Sequence, residues 1–243
     1  MKSLGIITIT YDSYSDVRRT LRSIISLSDC CIVYIVHKRL TQDNEENIKK
    51  EFSLLDIHFF KQEKSGIYDA MNIGLNANNC DFTFFLNGGD ELADTIDVMK
   101  PLFDEKNYDK VLVFDSLQIY GEDRYLRSSE RSLIARDFKN IAHQAVIVPT
   151  ALIGDNLFSL KKPISADTIW IERLLLKYPH KYMRRTLTKF YLGGISNFPS
   201  FKSVLLRFRD DGLQSSVNEI IKFILRILVG NRRYYRIMCL RKR

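Results

Sequence analysis

Cysteine is scarce in this sequence, and the four cysteines are not spaced as pairs. They show neither the CxxC spacing of a zinc or redox site nor the regular ladder of a disulfide-rich secreted domain. Two of them open one apolar run, and a third precedes another. We therefore expect free, buried thiols in a protein of a reducing compartment. The cysteines are Cys30, Cys31, Cys80 and Cys239.

Long hydrophobic runs and phosphate-binding loops are also missing. No stretch reaches the roughly 18 apolar residues that a membrane-spanning helix needs. The N-terminus enters a β-branched segment directly, without the apolar core and cleavage site of a secretory signal, so we expect none. Neither GxxxxGK[ST] nor a GxGxxG after the first predicted strand occurs. If the chain binds a nucleotide, the charge of the diphosphate must be neutralised in another way.

The excess of positive charge is confined to one end of the chain. The 243 residues are 45% hydrophobic, which is enough for one sizeable core, and the formal net charge is +8. Residues 201–243 hold eleven Lys/Arg and three Asp/Glu, so the remainder is neutral by count. We therefore divide the chain into a body over residues 1–200 and a basic tail over residues 201–243.

The tail contains an amphipathic segment over residues 217–229. Its length is too short to span a bilayer but suits a helix lying in the membrane interface, and the RRYYR and RKR clusters that follow add charge and aromatic rings. We therefore expect peripheral contact with an anionic membrane. One alternative is a C-terminal helix packed on the body. Another is a nucleic-acid tail, which we disfavour because no base-reading fold accompanies it.

Hydrophobic periodicity predicts an α/β fold in which strands alternate with helices. Such alternation is typical of a mostly parallel sheet with helices on both faces. Strands are predicted at 4–11, 30–36, 57–60, 81–86, 111–114 and 143–149, with two short ones inside 117–127. Helices are predicted at 16–27 with Ser15 as N-cap, 44–52, 67–78, 96–103 and 167–178. The regular pattern ends near residue 115, so we divide the body into a nucleotide-binding half over residues 1–115 and a less regular half over residues 116–200.

Polar residues follow four of the predicted strands. Ligands of open α/β sheets bind beyond the carboxyl ends of the strands. Three of the four ends carry an acid and two carry glycine. Each end alone could be an ordinary polar loop, but together they predict a ligand site. The ends are Thr10-Tyr11-Asp12, His37-Lys38, Glu63-Lys64-Ser65-Gly66 and Asn87-Gly88-Gly89-Asp90.

The turn at residues 87–90 has the residues of a metal-assisted diphosphate site. A divalent cation neutralises a diphosphate and prefers carboxylate oxygens, which Asp90 can supply. Asn87 can offer an amide oxygen or orient Asp90. Gly88 and Gly89 would let phosphates approach the backbone. The alternative is a structural turn that needs glycine for its own geometry.

With these residues in view, the chain resembles the family-two glycosyltransferases of the GT-A fold, of the type that builds bacterial surface polysaccharides such as O-antigen, capsule and exopolysaccharide. The resemblance covers about residues 1–197 and implies that residues 116–200 form an acceptor half. It is carried by GIITITYDSYSDVRRTLRSI, EKSGIYDAMNIGL, FFLNGGD, HQAVIVP and SADTIWIERLL. It implies transfer, with inversion, of a sugar from a UDP-linked donor to a lipid-linked saccharide. It also implies a Mn²⁺ or Mg²⁺ cofactor and a cytoplasmic location at the inner face of the plasma membrane.

The resemblance also implies roles for individual residues. Asp90 inherits the metal from an aspartate-rich turn, and Asn87 stands in place of an acid. His37 stands where the family has an acid that touches the nucleoside. Tyr68 is expected to pack in the core. The expected donor contacts are Thr10, Asp12, His37, Ser65, Gly66, Asp69, Asn72, Asn87, Gly88, Gly89, His143 and Gln144.

Inversion in one step needs a carboxylate that takes the proton of the acceptor hydroxyl. The resemblance favours Asp167, and Glu172 is the second choice. Structural alternatives remain for three residues: a helix N-cap for Asp167, an acid complementing a helix dipole for Asp69, and a satisfied core side chain for His143. A second class of function also stays open, a non-catalytic GT-A-like domain that binds sugar nucleotides or glycans.

Overall fold

The computed structural model describes residues 3–64, 66–93, 102, 104, 107–162, 164–192, 198–211 and 213–240. The strands are β1 Leu4–Thr10, β2 Cys31–His37, β3 Asp56–Lys61, β4 Phe82–Phe85, β5 Glu91–Leu92, β6 Val111–Tyr120, β7 Asp123–Arg127, β8 Val146–Pro149 and β9 His180–Tyr191. The helices are α1 Tyr14–Ile24, α2 Gln42–Glu51, α3 Ile67–Ala77, α4 Glu130–Ile134, α5 Thr150–Ile153, α6 Ala166–Lys177, α7 Phe201–Asp211 and α8 Leu213–Leu240.

The described strands form one mixed sheet in the order β3-β2-β1-β4-β8-β6-β9-β5, with β7 paired to β6. Strands β1 to β4, β6 and β9 run in one direction, whereas β5, β7 and β8 run in the other. The predicted α/β fold with a mostly parallel sheet is therefore confirmed. The carboxyl ends of β1, β2, β3 and β4 meet at one edge, which is the edge predicted to bind a ligand.

Successive residues of the central strands face two separate cores. Ile6 and Phe84 pack on one side with the apolar faces of α1 and α2. Ile7 and Phe85 pack on the other side with α3 and α6. This alternation follows from the period of two along a strand, and it shows helices on both faces as expected. Each fully buried side chain of this kind contributes about 1.5–3 kcal/mol.

Several boundaries differ from the predicted ones for local reasons. The N-cap of α1 is Ser13, whose Oγ accepts from the Asp16 amide, so the prediction of Ser15 is wrong. His143 lies in a 3₁₀ turn, and the strand begins at Val146. Residues 117–127 do form two strand segments, but the first continues β6. The predicted helix at 96–103 lies outside the described residues, apart from Leu102. The predicted boundary at 115/116 falls inside β6.

All four cysteines are free, as expected. Cys31 and Cys80 are buried, and Cys30 and Cys239 are half-buried. Burial raises the pKa of the Cys31 thiol to about 12. A thiol with so high a pKa is almost entirely protonated at neutral pH, so Cys31 acts as a small apolar core residue.

The last helix is divided into two parts with different environments. Gly230 has non-helical angles, φ 77° and ψ 162°, and interrupts α8. Beyond it, Tyr234 and Tyr235 are buried, and Tyr235 Oη donates to Gln118 O on β6 at 3.0 Å. Arg232 and Arg236 both pair with Asp123 on β7, at 2.8 and 2.6 Å. The two tyrosines of RRYYR are therefore covered by the body and are not free aromatic rings, which supports the alternative of a packed C-terminal helix for this segment.

The part of α8 before Gly230 presents apolar side chains to solvent. Leu228 is 76% exposed and Ile224 is 51% exposed, and Ile221 and Ile227 are also exposed. This part packs with α7, where Phe201, Leu205 and Phe208 are exposed as well. We name this exposed surface of α7 and residues 217–229 the apolar tail face. In the described residues no helix is both long and apolar enough to cross a bilayer.

Candidate active site

The two glycines of the turn at residues 87–90 suit its close packing and its backbone geometry. The Gly88 amide donates to Ile9 O at 3.0 Å, and a Cβ on Gly88 would lie 3.3 Å from that oxygen. Gly89 has φ +95°, a conformation that favours glycine, and its amide donates to Asp16 O. The geometry thus supports the alternative of a structural turn for both glycines. It also holds the turn beside the carboxyl end of β1.

Thr20 of α1 anchors this turn, and sequence reasoning missed it. Its buried hydroxyl accepts from the Gly89 amide at 3.0 Å and lies 2.7 Å from Asp90 O. A threonine on an amphipathic helix carries no signal of this role, because its partner is 70 positions away. The contact fixes the turn relative to α1 before any ligand binds.

Asp90 is a buried side chain rather than the tip of an exposed turn. It is 4% exposed, its Oδ1 accepts from the Tyr191 amide at 3.1 Å, and its Oδ2 accepts from Gln144 Nε2 at 3.3 Å. Burial raises the pKa of Asp90 to about 8, although both hydrogen bonds act to lower it. The residue therefore joins the turn to β9 and to the segment before β8.

A pH-dependent contribution to stability follows from the Asp90 pKa. The unfolded chain ionises this carboxyl near its ordinary value of 3.8, whereas the folded chain keeps it protonated up to about 8. The free energy of unfolding should therefore fall as the pH rises between these values. Asp90→Asn replaces the titrating carboxyl group with an amide of nearly the same shape. In urea unfolding, the stability of the variant relative to wild type should be greater at pH 9 than at pH 5. The same difference in free energy of unfolding at both pH values would contradict this expectation.

The residues around Asp90 fit a cation shared with a ligand better than one held by protein alone. Among the described residues, no group of three or more His, Cys, Asp or Glu side chains could hold a metal ion. However, Asn87 Oδ1 is buried and has no hydrogen-bond partner. An amide oxygen and a carboxylate are the hard donors that Mg²⁺ and Mn²⁺ prefer, and phosphate oxygens commonly complete such sites.

The predicted base lies in a chain of hydrogen bonds that crosses the sheet edge. Tyr68 Oη donates to Asp167 Oδ1 at 2.8 Å, and His143 Nδ1 lies 3.1 Å from Asp167 Oδ2. His143 Nε2 lies 3.4 Å from Asn87 Nδ2. With Nδ1 carrying the proton, His143 donates to Asp167 and can accept from Asn87. Asp167 and the turn at residues 87–90 are thus linked through one histidine.

The hydrogen bonds to Asp167 keep it ionised. Burial raises the pKa of Asp167, but the bonds from His143 and Tyr68 outweigh burial and hold the pKa below its ordinary value. The Asp167 side chain remains 26% exposed, so an acceptor hydroxyl can reach it. Asp167 is the second residue of α6, whose N-cap position is Ser165, so the N-cap alternative for Asp167 is wrong. Glu172 is half-buried five positions further along the same helix.

Two predicted donor contacts have their side chains occupied by the protein. The His37 ring is 2% exposed, its Nδ1 accepts from the Leu40 amide, and its Nε2 lies 3.0 Å from Glu45. Asn72 accepts from the Phe158 amide and donates to Phe158 O, at 2.8 and 2.9 Å. Both side chains stabilise local structure, so we withdraw them as direct side-chain contacts to a donor.

The remaining predicted donor residues lie along the expected edge. Thr10 ends β1 and is buried, and Asp12 is exposed in the loop that follows. Gly66 has φ +133° and precedes α3, where Asp69 accepts from Gln62 Nε2 at 3.1 Å. Gln62, which also donates to Gly66 O, was not predicted. Ser65 lies outside the described residues.

Sheet order and helix placement define a GT-A-like fold, as predicted, and comparison with solved structures agrees. The sequence matches no protein-family model, and no curated protein matches it. Residues 1–349 of S. aureus TarS in complex with UDP superpose with a TM-score of 0.67 at 16% identity, over 96% of this chain and 73% of that one. The UDP-GlcNAc complex gives 0.61 at 14% identity. A longer TarS structure matches equally well, but only 44% of it is covered.

Proposed function

We propose that this protein is a glycosyltransferase that moves a sugar from a UDP-linked donor to a lipid-linked saccharide during synthesis of a bacterial surface polysaccharide. The observation that carries the proposal is the ionised, accessible Asp167 held by Tyr68 and His143 beside the turn at residues 87–90. The similar fold of TarS, solved with UDP and with UDP-GlcNAc, supports a nucleotide-sugar donor.

The donor is proposed to lie across the carboxyl ends of β1 to β4. Thr10 and Asp12 would face the nucleoside, and the first amides of α3, which follow Gly66, would favour the diphosphate. A divalent cation, Mn²⁺ or Mg²⁺, would be held by Asp90 and Asn87 Oδ1 together with donor phosphates and would neutralise the leaving group. Gln144 and the Tyr191 amide keep the Asp90 carboxylate in one orientation.

The chemical step is proposed to be a single displacement with inversion. The acceptor oxygen attacks the anomeric carbon while the bond from that carbon to the donor phosphate breaks, and the nucleoside diphosphate leaves. The hydroxyl proton passes to Asp167, which is ionised at neutral pH because its interactions with His143 and Tyr68 offset the effect of burial on its pKa. His143 and Tyr68 orient the carboxylate, since each of its oxygens accepts one hydrogen bond.

Peripheral contact with a membrane is proposed for the apolar tail face. Its exposed isoleucines and leucines lie on the same helix as Lys222 and Arg226, which suits an anionic bilayer surface. Docking of residues 231–240 on β6 and β7 would hold this surface at a fixed position relative to the sheet. A lipid-linked acceptor would then be presented to an enzyme already at the membrane.

The positioning role of His143 can be tested through the pH profile of transfer. His143→Phe keeps a ring beside Phe85 but removes the bond that lowers the Asp167 pKa, so burial should raise that pKa. The acid limb of kcat/KM should move to higher pH, and Tyr68→Phe should move it in the same direction. An equal loss of activity at every pH would indicate a structural role instead.

The experiment that tests the function is nucleotide release from a panel of sugar nucleotides, with and without Mn²⁺ or Mg²⁺. Turnover of a UDP-sugar, accelerated by a saccharide acceptor, would support the proposal. A second candidate is a non-catalytic sugar-nucleotide or glycan binding domain, which is favoured by the bonds that already engage both Asp90 oxygens. That candidate predicts binding of a sugar nucleotide or glycan without release of nucleotide under any metal condition.

A further inference from the structure

A cleft on the acceptor side of the sheet is formed by β7, α4 and the 3₁₀ turn at Phe138–Asn140. Its volume is about 770 Å³, which is large enough for one or two sugar rings. Tyr125, Ser128 and Ser132 line it with hydroxyl groups, and Arg127 and Arg131 line it with guanidinium groups. Nothing in the proposed donor site uses these residues.

The cleft is lined by two arginines and two acids. Its two acids already have partners: Glu130 pairs with Arg184 at 3.3 Å, and Asp137 accepts from Asn140 Nδ2 at 2.6 Å. Arg127 Nε donates to Asn140 O at 2.7 Å, which fixes the plane of the guanidinium. Its terminal nitrogens have no hydrogen-bond partner among the described residues. An anionic ligand can therefore meet a pre-oriented arginine fork.

The cleft lies close to the proposed base. The 3₁₀ turn at Phe138–Asn140 packs against α6, the helix whose first turn carries Asp167. Burial lowers the pKa of Arg127, and the nearby charge of Asp167 acts in the opposite direction. Arginine remains protonated in proteins, so Arg127 is a partly desolvated cation beside the reacting carboxylate. A ligand held by Arg127 would thus have its neighbouring hydroxyls near Asp167.

We propose that this cleft binds the acceptor through an oxyanion group, a phosphate or a sugar carboxylate, held by Arg127 and Arg131. The proposal rests on the proposed function and names the chemical class of its acceptor. Planar arginine forks match the geometry of both oxyanions. The hydroxyl groups of the cleft are suited to the sugar ring that carries the anion. The acceptor is therefore an acidic or phosphorylated saccharide rather than a neutral one.

Binding of small probes tests the cleft separately from catalysis. Glucose 1-phosphate, glucuronate and glucose are titrated into the full chain in the presence of saturating UDP, which occupies any donor site. The ¹⁵N–¹H signals of the arginine Nε groups are followed. One or both anions should shift the Arg127 and Arg131 signals, whereas glucose should not. Glucose 1-phosphate acting alone would identify a phosphate acceptor, and glucuronate acting alone would identify a carboxylate.

Three variants decide whether the cleft is responsible. Arg127→Gln and Arg131→Gln should each weaken binding of the anion by about tenfold, because each removes charge-assisted hydrogen bonds. Arg136→Gln removes an exposed arginine of the same segment that does not line the cleft, and it should bind like wild type. Unchanged affinity in both cleft variants, or complete displacement of the anions by UDP, would overturn the proposal. Binding by the cleft without turnover of any sugar nucleotide would instead contradict the proposed function alone.

Discussion

Replacing Asp167 with asparagine is expected to lower the turnover of sugar transfer by about 10²–10⁴-fold, the usual range for losing a general base. Asparagine has nearly the same shape and can still accept the bond from Tyr68, so the fold and the affinity for nucleotide should be kept. It cannot take a proton at neutral pH. The measurement is steady-state transfer, combined with calorimetry of nucleotide binding on the same protein.

Glu172→Gln is the matched control for this substitution. It makes the same chemical change on the same helix, five positions further on, at a half-buried side chain outside the network of Tyr68 and His143. Its turnover should remain close to that of wild type. An inactive Glu172→Gln together with an active Asp167→Asn would show that the wrong carboxylate was chosen.

Removing residues 231–243 should destabilise the body strongly, whereas making the apolar tail face polar should not. The truncation exposes the surface covered by Tyr234 and Tyr235, and burial of each such ring contributes about 1.5–3 kcal/mol. In contrast, Ile221→Gln, Ile224→Gln and Leu228→Gln alter side chains that already face solvent. The combined glutamine variant should unfold at the wild-type urea concentration but lose most of its binding to vesicles.

Co-sedimentation with anionic and neutral vesicles measures the expected loss of vesicle binding in the triple glutamine variant. Binding of wild type should weaken in high salt without vanishing, because charge attraction is screened and apolar burial is not. Leu54→Gln, a change at an exposed leucine of the body, is the control and should bind like wild type. Equal sedimentation of wild type and the triple glutamine variant would exclude the apolar tail face as the membrane contact.

The first half of the fold could be predicted from sequence because its periodicity is strong and local. Strands β1 to β4 and helices α2 and α3 lie within two residues of their predicted bounds, and α1 ends three residues early because Ile25–Leu27 form a 3₁₀ turn. Strand β9 was missed because HKYMRRTLTKFY carries more basic than aliphatic residues and is largely half-exposed. Its position in the sheet depends on pairing with β6 and β5, which are distant in sequence.

The site was only partly predictable for the same reason. A turn containing Asp90 can be recognised from its glycines, but its burial depends on contacts with Tyr191 and Gln144 that no local pattern encodes. Tyr68 was expected only to pack; it stacks on Phe158 and also donates to Asp167. The tail was ambiguous because a single residue, Gly230, separates a docked segment from an exposed one.

Thermal unfolding with a panel of sugar nucleotides, with and without Mn²⁺ or Mg²⁺, tests whether the edge formed by β1 to β4 binds a nucleotide-sugar donor. A ligand that binds only the folded chain increases the free energy of unfolding, by about 2.7 kcal/mol at a ligand concentration of a hundred times its Kd. The unfolding temperature rises as a result. We expect UDP and at least one UDP-sugar to stabilise wild type and Asp167→Asn equally, and the metal to increase the rise in unfolding temperature. No stabilisation by any sugar nucleotide under either condition would contradict the assignment of the sheet edge as a donor site.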